Sequence, residues 1–290
     1  MLRIIEPGIM NTIQDAGRWG YQAFGVPVSG AMDGFSLRVA NRLVRNVDDE
    51  AAIEIHSTLA CETDRAHLVA LTGAEAIITI DGRAMPMWTS LFVRAHSRIE
   101  IQPREWGWCY LGIHGGIAVP RVMGSKSTYL RGGLGGLDGR AVQAGDEIEI
   151  GVQTLNDLVA AAGCQSNEQV RAWLKRTPVI RVRLGPHRDY FSDDAIDRLL
   201  NTEYVVTESA DRMGYRLRGP AIAKKRADEL VSCGVPLGAI QVPPDGQPIV
   251  LMADHQTTGG YPIIATVITE DIALLAQMGP GKRIVFQAVN

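Results

Sequence analysis

Short apolar runs that alternate with polar residues set the pattern of the chain. Ile180-Arg-Val-Arg-Leu184 and Ile284-Val-Phe286 alternate with period two, as do Ile99-Glu-Ile101 and Ile148-Glu-Ile150. Residues that change face at every step belong to strands. Ala76-Ile-Ile-Thr-Ile80 runs into Asp81-Gly82, a pair suited to the two positive-φ positions of a tight hairpin. Helical spacing is rarer. Phe35, Val39, Leu43 and Val44 recur on one helical face, and Asn46 is placed to end that helix. Ser192-Asp-Asp opens a second helix running through Leu200, and Thr269-Glu-Asp a third running through Gln277. Both put carboxylates in the first turn, where the helix dipole favours them. Strands do not alternate with helices, which argues against a nucleotide-binding parallel sheet. The pattern predicts a mainly β protein with a few short helices.

The same landmarks recur in two halves. Leu71-Thr72 leads through Ile80-Asp-Gly82, Ile101-Gln-Pro103 and Tyr110-Leu-Gly112 to Gln143-Ala-Gly145. Val206-Thr207 leads in the same order through Leu217-Arg-Gly219, Ile240-Gln-Val-Pro243 and Val250-Leu-Met252 to Gln277 and Gly281. A duplication giving two related β-barrels would explain the order; short glycine- and proline-punctuated strands that mimic one another would explain it too. Residues 151–178 carry no strand pattern. The division expected is therefore an N-terminal barrel over 1–150, a connector over 151–178 with a short helix near Glu168–Lys175, and a C-terminal barrel over 179–290.

Composition narrows the function classes. A chain of 290 residues with 46% hydrophobic residues can bury two ordinary cores. Its formal net charge of −3 gives no reason to expect a nucleic-acid or membrane partner, which favour basic patches. Glu6, Pro7 and Gly8 arrive before any apolar stretch of signal-peptide length, and Cys61, Cys109, Cys164 and Cys233 form no Cys-x-x-Cys pair. Reduced thiols in the cytoplasm are the expectation. No histidines are spaced as His-x-x-x-His, so no metal site is expected.

Three loops and one N-terminal segment carry candidate chemistry. Gly124-Ser-Lys-Ser-Thr-Tyr129 runs on into five glycines between Gly132 and Gly139. Gly132, Gly133, Gly135 and Gly136 can bare backbone N–H groups as an anion nest. Ser125, Ser127 and Thr128 would add donors, and Lys126 and Arg140 charge. Neither a Walker A loop nor Gly-x-Gly-x-x-Gly is present, since Asp138 falls where the last glycine belongs. A tight barrel connection would use the same residues. Asp254-His-Gln-Thr-Thr-Gly-Gly-Tyr-Pro262 follows an apolar strand. Asp254 can hold an amide N–H or act as a base, beside His255. Gln256, Thr257, Thr258, Gly260 and Tyr261 are candidates to contact a small amide; the alternative is an aspartate capping a solvated turn. In Ser209-Ala-Asp-Arg-Met-Gly-Tyr-Arg216, Asp211, Arg212 and Tyr215 are candidates. Arg212 can fork onto a substrate carboxylate or phosphate, or pair internally with an aspartate. Gln14, Asp15 and Arg18, with Ser29 and Asp33, surround glycine turns as a site, a partner surface or plain turns. His114-Gly-Gly116 is similar to an oxyanion-hole loop but has no Gly-x-Ser-x-Gly elbow to accompany it, which makes a serine hydrolase a poor reading.

Taken in order, Glu6-Pro-Gly8, Thr12-Ile-Gln-Asp-Ala-Gly-Arg18, Gly25-Val-Pro-Val-Ser-Gly-Ala-Met-Asp33, Ala40-Asn-Arg-Leu43, Leu71-Thr-Gly-Ala74, His114-Gly-Gly-Ile117, the Gly124–Arg140 run, Asp211-Arg-Met-Gly-Tyr-Arg-Leu217 and the Asp254–Pro262 loop resemble the allophanate hydrolase subunit 2, KipA-like family. The resemblance covers nearly the whole chain. It implies two cyclophilin-like β-barrel domains and a subunit of an ATP-dependent 5-oxoprolinase, which opens the lactam of 5-oxoproline to L-glutamate. Under it, the Gly132–Gly136 loop, Lys126 and Arg140 would hold the phosphates of ATP, with magnesium. Arg212 would clamp the substrate carboxylate and Asp254 orient the amide or the water. Its implied partners are two further subunits of that enzyme, a KipI-like protein and a LamB/YcsF-type protein. The family also admits a carboxyltransferase-like role on urea-type amides. This chain lacks a biotinylated Ala-Met-Lys-Met, its nearest stretch being Ala84-Met-Pro-Met87, so that role needs a biotin carrier in a separate chain. A third role is a non-enzymatic regulator that binds a KipI-type kinase inhibitor.

Overall fold

Asp81 and Gly82 make the turn that their sequence predicts. The computed structural model describes residues 1–152, 155–169, 172, 179–226 and 230–289. In it Asp81 has φ +53° and Gly82 φ +76°, and Ile80 pairs with Arg83 across them. The chain forms two units, Met1–Arg18 with Ser29–Leu174, and Trp19–Val28 with Lys175–Asn290.

In the first unit the strands are β1 (Leu2–Glu6), β2 (Thr12–Gln14), β3 (Ala52–Ile55), β4 (Leu59–Thr63), β5 (His67–Gly73), β6 (Ala76–Ile80), β7 (Arg83–Met85), β8 (Ser90–Val93), β9 (Arg98–Pro103), β10 (Cys109–Ile113) and β11 (Glu147–Ile148). They make two antiparallel sheets, ordered β11-β1-β4-β9-β6-β7 and β2-β3-β10-β5-β8. One core lies between them, with Leu2, Ile4, Ile99 and Ile101 from the first sheet and Ile53, Ile55, Leu71 and Leu111 from the second. The alternating residues of β1 and β9 supply that core from one face. β3, β5 and β10 do not alternate, because they are buried on both faces. The second face of β5 and β10 is covered by helix α1 (Gly34–Leu43), with helix α2 (Leu155–Ala161) against β5 and β8. Leu43, Val44, Leu158 and Ala161 pack there with Leu68 and Ala70. Part of the expected connector therefore belongs to this layer, and the helix expected near Glu168–Lys175 lies largely outside the described residues.

Asp33 caps α1 by accepting from the Ser36 N–H at 2.9 Å, the usual service of a short acidic side chain at a helix start. The helix ends before Asn46 is reached. Arg45 takes the left-handed conformation at φ +57°, and the Asn46 N–H returns to the Asn41 carbonyl at 2.8 Å.

In the second unit β12 (Val179–Leu184), β13 (Glu203–Val206), β14 (Gly214–Arg218), β16 (Ala239–Gln241), β17 (Ile249–Leu251), β19 (Ile263–Val267) and β20 (Arg283–Ala288) close a barrel, while β15 (Cys233–Gly234) and β18 (Thr258–Gly259) form a separate ribbon. The barrel order is β12-β19-β16-β17-β14-β13-β20, with β12 and β20 parallel. Ile180, Val182, Tyr204, Leu217, Ile284 and Phe286 fill it. Helix α3 (Asp193–Asn201) starts on Ser192 as its sequence predicts, and α4 (Thr269–Ala276) follows β19. Buried Asp271 of α4 is gripped by Arg181 of β12 at 2.6 Å.

The architecture is the mainly β one expected, with few short helices. The strand matches drawn from the two halves do not carry over to pairing. Around Tyr110-Leu-Gly112, β10 pairs with β3 and β5. Around Val250-Leu-Met252, β17 pairs with β14 and β16. Similar punctuation arises in both halves because each is built of short strands joined by tight turns, whatever the order in which they pair.

Candidate functional site

In the first unit two segments read separately from the sequence fold into one buried polar knot. Asp15 is 3% exposed and is the centre of it. Its carboxylate accepts from Ser125 Oγ at 2.7 Å, from the Lys126 N–H at 2.6 Å, from the Gly17 N–H at 2.8 Å and from Ser127 Oγ. Gln14 Nε2 donates to the Thr128 carbonyl at 3.0 Å, and Thr128 Oγ1 donates to the Ile13 carbonyl at 3.0 Å. Arg18, fully buried, donates to the carbonyls of Val122 and Ser127 at 2.9 and 2.8 Å.

The glycine loop folds around this knot rather than opening as a nest. The N–H groups of Gly133, Gly136 and Gly139 donate to the carbonyls of Leu130, Lys126 and Gly135. A side chain at Gly135 would meet the Ser127 carbonyl at 2.0 Å, and one at Gly136 would meet Thr128 Oγ1 at 2.0 Å. Gly132 lies against the Tyr129 ring. Lys126 Nζ sits 2.5 Å from Glu50 and 2.7 Å from the Ile117 carbonyl. Arg140 is bidentate on Asp146 at 2.7 and 2.8 Å. The two cations assigned to phosphate are thus each held by a carboxylate of the same unit, and the N–H groups of Gly133, Gly136 and Gly139 support the loop's own turns. This arrangement does not fit the phosphate cradle expected of it.

Beside the knot lies a second buried group that the sequence did not single out. Tyr110 Oη donates to Glu54 at 2.7 Å and accepts from the Asp33 N–H at 2.8 Å, and Glu54 also accepts from the Met32 N–H at 2.8 Å. Burial and the nearby charges of Glu54 and Asp33 push the Tyr110 hydroxyl well above its ordinary pKa. Alternation around Ile53-Glu-Ile55 places Glu54 on the face away from the core. The segment around Met32 and Asp33 covers that face, which local patterning does not reveal. Ser29 is 5% exposed, and its hydroxyl and Gln14 Oε1 have no hydrogen-bond partner among the described residues.

In the second unit the Asp254–Pro262 loop leaves β17 and is anchored from beneath. Arg212 forks onto Asp254, Nε to Oδ2 at 2.8 Å and Nη2 to Oδ1 at 2.9 Å. The Asp254 N–H donates to the Arg212 carbonyl at 2.7 Å. Both side chains are buried, at 4% and 7% exposure. Arg212 therefore holds Asp254, the internal pairing of the two readings its sequence allowed. Asp211 caps the turn before it, accepting from the Met213 and Gly214 N–H groups, and Tyr215 Oη donates to the Ala276 carbonyl at 2.8 Å.

Gln256, Thr258, Gly260 and Tyr261 are exposed and Thr257 half-buried, so the loop presents amide and hydroxyl groups outward over a buried ion pair. The β15–β18 ribbon holds its far side, pairing Cys233 with Gly259 and Gly234 with Thr258. Gln241 braces it from within at 2% exposure. Its Oε1 accepts from Gln256 Nε2 at 3.3 Å and its Nε2 donates to the Tyr261 carbonyl at 3.5 Å. Ile240-Gln-Val-Pro243 assigns Gln241 no role by itself; an amide inside an apolar strand is the signal the sequence offers. Among the described residues no three His, Cys, Asp or Glu side chains are grouped to hold a metal ion.

This β architecture and these loops are those of a known class. Residues 24–288 match the family model of the carboxyltransferase domain, subdomains A and B, and the chain belongs to that family. Within it the chain is 40% identical to the C subunit of 5-oxoprolinase from Escherichia coli, over 99% of this chain and 90% of that protein. It is 36% identical to the corresponding C subunit of 5-oxoprolinase from Haemophilus influenzae, over 100% and 92%. Identity to the urea amidolyase of Saccharomyces cerevisiae is 32%, over 98% of this chain but 16% of that protein. The crystal structure of TTHA0988 superposes with a TM-score of 0.87 at 31% identity, and the chain spans 55% of it. The Kluyveromyces lactis urea carboxylase superposes with a TM-score of 0.88 at 27% identity, and the chain spans 27% of it.

Proposed function

We propose that this chain is a subunit of an ATP-dependent 5-oxoprolinase that hydrolyses 5-oxoproline to L-glutamate, active in complex with a KipI-like protein and a LamB/YcsF-type protein. The observation that carries the reading is end-to-end similarity to two proteins named as the C subunit of 5-oxoprolinase, each matched over nine-tenths or more of its length. The lactam carbonyl is resonance-stabilised and a poor electrophile, so its opening needs activation, a group that orients the amide and a base for water. In this chain the Asp254 loop is the best-built candidate for orienting the amide. A carboxylate forked by one guanidinium keeps lone pairs for a substrate N–H, and Arg212 fixes its direction. Gln256, Thr257, Thr258, Gly260 and Tyr261 follow it in the same loop, exposed or half-buried. Lys126, Arg140 and the glycine loop are left out of phosphate binding, and ATP with its magnesium is assigned to the assembled complex.

A second reading rests on the family itself and on the urea amidolyase relatives: transfer of a carboxyl group to a urea-type amide from biotin on a separate carrier. The two readings part in one assay. The complex co-expressed with its partner subunits is offered 5-oxoproline or urea, and product is followed by NMR with and without avidin. Glutamate formation indifferent to avidin supports the first reading. Avidin-sensitive carboxylation of urea supports the second, and neither product from an assembled complex leaves the regulatory role.

A further inference from the structure

The Asp254–Pro262 loop carries the chain from β17 to β19, and β16 lies between those two strands in the barrel. Gln241, the last residue of β16, pairs in register with Ile249 on one side and Ile263 on the other. Ile263 forms an apolar cluster with Val235, Ala239 and Leu251, and Ile249 packs against it. An amide buried at 2% exposure in such surroundings must find its partners close by. Both are in the loop. Gln241 Nε2 donates to the Tyr261 carbonyl at 3.5 Å, and Gln256 Nε2 donates to Gln241 Oε1 at 3.3 Å. These are long bonds, which set direction more than strength. A carbonyl oxygen only accepts, so Tyr261 fixes which end of the Gln241 amide is nitrogen. The Gln241 oxygen is left to face Gln256, which must then turn its own NH2 inward. A side chain at Gly259 would meet Gln241 Nε2 at 2.6 Å, so this glycine lets the loop approach.

We infer that this relay of amides sets the selectivity of the loop: Gln256, held by its NH2, presents Oε1 outward as the acceptor for an amide N–H, and Gln241 is the positioning residue that fixes its direction. Gln256 is exposed, so the acceptor stands on the open side of the loop. The inference rests on the 5-oxoprolinase reading above, under which the N–H is that of the lactam. Asp254 is the other acceptor of the loop, and a three-centre bond lets both receive one N–H. Arg212 turns Nε and Nη2 onto Asp254, so the loop meets its ligand with acceptors. A lactam nitrogen satisfies them; a methylene in its place leaves Gln256 Oε1 without a donor. Gln256 thus reads the amide before it is activated, and its contribution belongs to binding rather than to the ATP-dependent step.

The test reads orientation first and selectivity second. Neutron diffraction from crystals of the full chain should place the deuterons of the Gln256 amide on the Gln241 side; the reverse orientation overturns the inference whatever the enzyme does. In the assembled complex, 3-oxocyclopentane-1-carboxylate, with CH2 where 5-oxoproline has N–H, serves as a competitive inhibitor. Its Ki should exceed the KM for 5-oxoproline by about 10-fold or more. Gln256→Leu should lower that ratio at least about 5-fold through a raised KM, with kcat changed far less. Gln241→Met keeps the bulk but lets the Gln256 amide turn over, and should lower the ratio in the same way. Gln241→Glu keeps an acceptor for the Gln256 NH2 and should retain the ratio, even though its carboxylate opposes the Tyr261 carbonyl and weakens the loop. A merely structural role predicts the reverse order of these two variants. An unchanged ratio in Gln256→Leu, or a ratio kept by Met and lost by Glu, sinks the assignment and leaves the functional reading intact. Absence of 5-oxoproline turnover in the wild-type complex sinks both together.

Discussion

Arg212 and Asp254 depend on one another. Removing the carboxylate leaves a guanidinium buried at 4% exposure without its counter-charge, a change that costs about 3–5 kcal/mol. Asp254→Asn should lower the urea midpoint accordingly, and Arg212→Met combined with Asp254→Leu should recover most of the loss. An unchanged midpoint in the single variant would show that the pair is not closed in solution. Thiol chemistry offers a second check at this scale. Burial pushes Cys61 and Cys109 up to about 12, while Cys164 is exposed and Cys233 half-buried. A thiol reagent should modify Cys164 first and Cys233 more slowly, leaving Cys61 and Cys109 untouched until the protein unfolds. Two buried histidines give a pH dependence with a definite sign. His67 and His255 are both lowered by burial from 6.5, so below that value the unfolded chain binds more protons than the folded one. Their contribution is complete above about pH 6.5 and is lost as pH falls through the folded values. Replacing both by Gln should flatten this part of the stability profile, measured by urea unfolding on either side of that pH.

At the scale of elements, local signals were legible wherever the decisive physics was local. The Asp81-Gly82 turn needs only two positive-φ residues, and α3 needs only Ser192 to cap it. Ser192→Ala should cost about 1 kcal/mol, read from thermal unfolding. The glycine loop is different. Its sequence shows freedom to bare N–H groups, but the fold uses that freedom for close approach to Ser127 and Thr128. Gly136, at φ +54° with Thr128 Oγ1 in the place of a side chain, should not accept alanine. Gly136→Ala should destabilise the first unit by at least about 1–3 kcal/mol, whatever happens to ATP affinity. The link from Asp15 to Ser125 and Ser127 spans 110 and 112 residues, so no window of sequence could pair them. β5 and β10 also escaped the alternation test, because α1 and α2 bury the face that would otherwise carry polar residues.

For the whole molecule, the order of dispersed motifs carried more than any one loop. Glu6-Pro-Gly8 through Asp254–Pro262 resembled one family along nearly the full chain, and residues 24–288 match the carboxyltransferase domain family. What the sequence could not show is which polar residues remain free to meet a substrate. Lys126, Arg140 and Arg212 are alike in sequence as cations in polar loops; in the structure each is held by an acidic partner from outside its own turn, Glu50, Asp146 and Asp254. Among the described residues no helix is long and apolar enough to cross a membrane. The central claim, that this chain completes a 5-oxoprolinase, is tested most directly by measuring 5-oxoproline-dependent ADP release from the chain alone and from the complex assembled with its partner subunits. Release is expected from the complex and none from the isolated chain. A verified complex that releases no ADP in response to 5-oxoproline would contradict it.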